Sequence, residues 1–156
     1  MAVKSSYGAA EREIGELFAD YLEGGGKNPA VALGARPLSP EARNAIDKSL
    51  EAFGYPQRAC TYASLTPVDD TAEGSDLALD AHALFLLVEG LDPLFVIAAD
   101  SASVAALGQA YRTSFPLDAP IRVFGRPSAA FSNLDTLLET PQGKQKAWRI
   151  MKSLQA

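Results

Sequence analysis

The stretch Asp92-Pro93-Leu94-Phe95-Val96-Ile97-Ala98-Ala99-Asp100-Ser101 decides the fold. Residues 94–99 form a continuous apolar run, the mark of a parallel strand buried on both faces. Asp92-Pro93 is a helix-to-strand turn signal in front of it. Behind it, Ser101 is expected to cap a helix over residues 102–111. Upstream, residues 77–91 read as an apolar helix buried on several sides. Helix, buried strand and helix in succession define an α/β unit.

Working outward, the same alternation recurs. Residues 59–65 and 30–33 read as two further strands. Between them, Ser39-Pro40-Glu41 is a helix start, with Ser as N-cap, Pro in the first turn and an acid beside it. Ile46, Leu50 and Phe53 then line one face, and Gly54 ends that helix. Residues 121–124 are expected to form a fourth strand, with a loop at 125–132 beyond its carboxyl end. Residues 142–154 read as the last helix, with Ala147, Ile150, Met151 and Leu154 inward. Near the N-terminus, Ile14, Leu17, Phe18 and Tyr21 place an apolar stripe on a helix over residues 9–22, which Gly24–Gly26 ends.

The expected product is a single three-layer α/β domain over residues 1–156. An N-terminal helix and Gly-rich turn occupy 1–26, and the core occupies 27–156. Its centre is a mostly parallel sheet of about four strands with helices on both faces. Ligands of such sheets sit at the carboxyl ends of strands. That points to residues 34–38, 64–67, 100–102 and 125–132.

Composition narrows the chemistry. One Cys and one His leave no means of building a disulfide, a Cys-rich zinc site, an iron–sulfur cluster or a His-rich metal site. No cofactor, metal or metal cluster is therefore expected. His82 has no carboxylate partner at helical spacing, since Asp80 is only two residues away. No apolar leader is visible near Met1, and the most apolar region, 81–99, is broken by Glu89, Asp92 and Pro93. A cytoplasmic protein without a membrane span is the resulting expectation.

The formal charge of −5 conceals a polarity. Residues 1–58 carry a net −1, residues 59–111 carry eight acids and no Lys or Arg, and residues 112–156 carry a net +4. Arg36 and Arg126, each in a Gly-containing loop followed by Pro, are the candidate anion ligands.

Four segments in order carry a family resemblance. They are Leu33-Gly34-Ala35-Arg36-Pro37-Leu38, then Leu87 to Ile97 through Asp92-Pro93, then Phe124-Gly125-Arg126-Pro127-Ser128, and last Lys144 to Leu154 with Trp148. This arrangement resembles the uracil-DNA glycosylase superfamily over residues 30–154. The resemblance implies the same three-layer fold. It also implies that Gly34, Arg36, Pro37, Arg126, Pro127 and Ser128 border one cleft and are its ligand- or phosphate-binding candidates.

The departures from the family pattern concern the chemistry. Ala35 stands where the family's first loop carries Glu, and Leu38 where it carries a second Gly. Residues 63–66 contain no Asn, and Arg126 replaces the His of the last loop. The Cys cluster of some members is absent, because Cys60 stands alone. The expectation is a non-catalytic binding or adaptor module in DNA metabolism, partnered by nucleic acid or a DNA-metabolism protein. Two alternatives stand beside it. One is a divergent glycosylase or nucleotide-processing enzyme using an Arg36/Arg126 cleft. The other is a protein-interaction domain unrelated to nucleic acid. The chain is also similar, more weakly, to the psi subunit of bacterial DNA polymerase III, a non-catalytic adaptor on a small α/β fold.

Overall fold

The computed structural model describes residues 14–24, 28–67 and 78–155. Six strands form one sheet: β1 Leu22–Glu23, β2 Ala30–Gly34, β3 Cys60–Ser64, β4 Phe95–Ala98, β5 Ala119–Val123 and β6 Arg126–Ala130. Their spatial order is β1-β3-β2-β4-β6-β5. The inner four are mutually parallel, and the short outer strands β1 and β5 run antiparallel to their neighbours. The mostly parallel α/β sheet is as expected, with two more strands than the four anticipated.

Besides the helical residues 14–17, five α-helices lie among the described residues: α1 Pro40–Ala52, α2 Ala81–Leu91, α3 Ser101–Tyr111, α4 Leu134–Leu137 and α5 Pro141–Lys152. Successive strand residues point to opposite faces, so each strand feeds two cores. Ala30, Ala32 and Ile97 pack with Ile46 and Leu50 of α1 and with Ile150 and Met151 of α5. Val31, Leu33, Val96 and Ala98 pack with Leu84, Leu87 and Val88 of α2 and with Val104 and Leu107 of α3. This explains why β4 reads as an unbroken apolar run: both of its faces are covered.

Local chemistry sets the helix boundaries. Ser39 caps α1 through its side chain, with Pro40 in the first turn. The other starts differ from the sequence expectations. Asp80 caps α2 by accepting from Ala83 N–H, so the helix begins at Ala81 and not at Leu77, which lies outside the described residues. Asp100, not Ser101, caps α3, in a capping box with Ser103. Asp92 and Arg112 end α2 and α3 in left-handed conformations. The N-terminal helix stops early: Ala19–Tyr21 is a 3-10 turn, and Leu22–Glu23 joins the sheet beside β3. Residues 9–13 of that expected helix, Gly25 and Gly26 of the expected turn, and residues 68–75 of the expected acidic loop lie outside the described residues.

The largest correction concerns residues 125–132. They were expected as a loop beyond the carboxyl end of a strand. Instead, Phe124 and Gly125, at φ 53° and 83°, make a tight two-residue turn, and Arg126–Ala130 is strand β6. Pro127 hid this strand, because Pro cannot donate to a ladder. Its place at the second residue is tolerated because pairing with β4 starts only at Ser128, opposite Val96.

Candidate functional site

Strand order locates the site. β2 leads into α1 on one face of the sheet, and β4 leads into α3 on the other. Neighbouring parallel strands whose connections diverge leave a crevice at their carboxyl ends. The β2–β4 boundary is that switch point, and a cleft of about 340 Å³ lies there. It is lined by the β2–α1 loop from Ala35 to Ser39, by Asp100, and by Asn133 and Asp135.

Hydrogen bonds tie these loops together. Ala99 N–H donates to Leu33 O at 2.8 Å, and Leu134 N–H donates to Ala99 O at 2.9 Å. Asp100 is the centre of the arrangement. Its Oδ1 accepts from Ser103 N–H at 2.8 Å, and its Oδ2 accepts from Ala35 N–H at 2.9 Å. One carboxylate thus caps α3 and anchors the β2–α1 loop. Ser39 Oγ accepts from Ala42 N–H and donates to Asp135 Oδ1. Asn133 Oδ1 accepts from Thr136 N–H, capping α4.

Gly34 is required by close approach. A Cβ there would lie 2.7 Å from Arg36 O, 2.9 Å from Leu38 Cδ1 and 3.6 Å from Asp100 Oδ2. Gly34, Arg36 and Pro37 therefore sit at or beside the crevice. The charged residues lining it are Arg36, Asp100 and Asp135, one cation against two anions. None of the bases of residues 112–156 lines this crevice.

Arg126, Pro127 and Ser128 lie elsewhere. Arg126 opens β6, so these residues belong to the amino ends of the parallel strands, across the sheet from Arg36. The shared Arg36/Arg126 cleft does not exist. Arg126 spans three acceptors instead: Glu89 Oε2, Asp92 Oδ1 and Pro93 O, each at 2.8 Å. Burial works against its charge, but the bonds to Glu89 and Asp92 outweigh burial and hold the guanidinium above its ordinary pKa. Glu89 also accepts from Tyr111 Oη at 2.7 Å, and burial together with that bond pushes the phenol up. Ser128 is buried, accepting from Val96 N–H and donating to Arg126 O.

The remaining chemically marked residues have structural surroundings. His82 is exposed on α2. Cys60 is buried in β3, and desolvation, with Asp47 nearby, pushes its thiol up to about 12. Among the described residues no cluster of His, Cys, Asp and Glu could hold a metal ion, and no helix is long and apolar enough to cross a membrane.

Asp100 lies in the segment 100–102 that the strand pattern points to but is not named there as a ligand residue, and Asn133 and Asp135 lie outside the segments it points to. Asp100 had a legible signal: an acid three residues before Ser103, directly after an apolar strand, is a capping pattern. Asn133 and Asp135 had none, because their place beside the β2–α1 loop depends on where β6 ends. No protein-family model matches the sequence, and no curated protein matches it.

Proposed function

We propose that this chain is a non-catalytic binding module that acts as an adaptor for a protein partner; the glycosylase resemblance no longer carries the reading, because its two cleft loops lie at opposite edges of the sheet. The observation that carries the reading is the commitment of Asp100. Both of its oxygens serve backbone N–H groups, one in the β2–α1 loop and one in α3. Each oxygen keeps a second lone pair, so the two bonds mark Asp100 as the tie between the β2–α1 loop and α3, and the assay below tests it as a base. The second crevice carboxylate, Asp135, is engaged by Ser39, and Ala35 offers only a methyl where the glycosylases carry Glu. The crevice charge favours a protein over a bare phosphate backbone, whose binding is dominated by cationic contacts.

A second reading rests on the same carboxylate. Asp100 reaches into the β2–α1 loop, so a divergent enzyme could draw on it in place of the missing Glu. One assay separates the two. The purified chain is incubated with single- and double-stranded uracil-containing DNA, and base release is measured beside an Asp100→Asn variant. No release is expected from either protein. Excision by the parent that Asp100→Asn abolishes would overturn the adaptor reading.

A further inference from the structure

Helices α1 and α5 lie side by side on one face of the sheet and leave a groove of about 400 Å³ between them. Each helix turns a stripe of i, i+3, i+4 and i+7 residues toward it. On α1 the stripe runs from Glu41 through Asn44 and Ala45 to Lys48. On α5 it runs from Lys144 through Ala147 and Trp148 to Met151. The floor is apolar, with Ile46, Leu134 and Met151 almost fully buried beneath it.

Trp148 forms a wall of the groove and is 38% exposed. It is held in place. Phe53 stacks on the indole at a centroid distance of 5.7 Å and an interplanar angle of 19°. The Lys152 ammonium lies 5.9 Å from the ring centroid. The rim carries Lys48 and Lys144, both exposed, and among the described residues neither forms an ion pair. Glu41 is the one acid among the lining residues.

We propose that this groove docks an amphipathic helix of a partner protein. Its apolar face carries aliphatic anchors at helical spacing, and its flanks carry Glu or Asp opposite Lys48 and Lys144. Two helices with an apolar floor between them match the helix-in-groove mode of recognition. The exposed cations select the sign of the partner's flanks. Phe53 stacks on one face of Trp148 and leaves at most one face for a nucleic-acid base, so oligothymidylate is the competing occupant that the titration below tests. The inference rests on the binding-module reading and names the partner's chemistry for it.

Trp148 is the only Trp in the chain, so its fluorescence reports on the groove directly. The full chain is titrated with a synthetic amphipathic helix bearing Leu anchors and Glu flanks. The same helix with Lys flanks and an oligothymidylate are titrated in parallel. The Glu-flanked helix is expected to shift Trp148 emission saturably and to bind roughly tenfold more tightly than its Lys-flanked form, each exposed ion pair contributing a few-fold. Lys48→Glu with Lys144→Glu, both at exposed positions, should invert that preference with an unchanged circular dichroism spectrum. Equal binding of the two helices, or no response to either, overturns the proposal. Oligothymidylate that shifts Trp148 and displaces the helix overturns it in favour of nucleic acid. The base-release assay on the same preparations keeps the two readings apart. Excision alongside charge-selective helix binding sinks only the non-catalytic reading. Absence of both excision and helix binding sinks only the groove.

Discussion

Replacing Arg126 with Ala separates a ligand-binding arginine from a structural clamp. The side chain of Arg126 is 12% exposed, that of Glu89 29% and that of Asp92 68%. The bond to half-buried Glu89 is charge-assisted and contributes about 2 kcal/mol. The pair with Asp92 is solvent-screened and adds no more than about 0.5 kcal/mol. Losing the donor to the Pro93 carbonyl costs about 1 kcal/mol. The clamp is therefore worth about 3 kcal/mol, a fall in Tm of roughly 6–12 °C for a domain of this size. Thermal and urea unfolding measure it. Arg126→Lys keeps the charge but not the fork, so it should recover about one third of the loss. A double-mutant cycle with Glu89→Gln should show coupling of about 1–2 kcal/mol. An Arg126→Ala protein that unfolds within about 1 °C of the parent refutes the clamp. Its guanidinium would then be available for another role.

Two further predictions concern packing and ionisation. Gly143 sits inside α5, where Ala is intrinsically favoured by about 1 kcal/mol. A Cβ there would fall 1.9 Å from Leu137 O, so Gly143→Ala should destabilise by about 1–3 kcal/mol in urea unfolding, and a stabilised variant would contradict the α4–α5 contact. Cys60 ionises near 9.0 when unperturbed and near 12 in the fold. The unfolded chain therefore releases that proton first, and native stability should decline as pH rises from about 9 towards 12. Cys60→Ala should flatten that part of the stability–pH curve relative to the parent, and the folded parent should resist thiol reagents at pH 8; rapid labelling there would argue against the burial of β3.

Short-range chemistry made much of the fold legible. The apolar run around β4 announces a strand covered on both faces, whatever covers it. Ser39-Pro40-Glu41 starts a helix because its side chain and ring meet local needs of the backbone. Gly34 and Asp100 were also within reach of the sequence, one before a Pro-containing loop and the other in a capping pattern. Strand β6 was not. Arg126-Pro127-Ser128-Ala129-Ala130 has no β-branched residue and contains Pro, so its own preferences argue against a strand. It becomes one because the Phe124-Gly125 turn folds it onto β5 and its buried alanines fit beside β4.

That one strand decided the site. Had residues 125–128 followed a parallel strand, Arg126 would have joined Arg36 at the carboxyl edge. The hairpin reverses the chain first, so Arg126 begins a strand and faces Glu89 and Asp92 across the sheet from the crevice. The sequence by itself determined the α/β class, three of the four parallel strands, the start of α1 and the Gly34–Pro37 loop, because each rests on neighbours within a few residues. Only the tertiary structure decided which loops share an edge, which charges are already paired, and that Lys48 and Lys144 rim one groove. Those properties belong to pairs of residues far apart in the chain, and the direction in which each strand enters the sheet sets them.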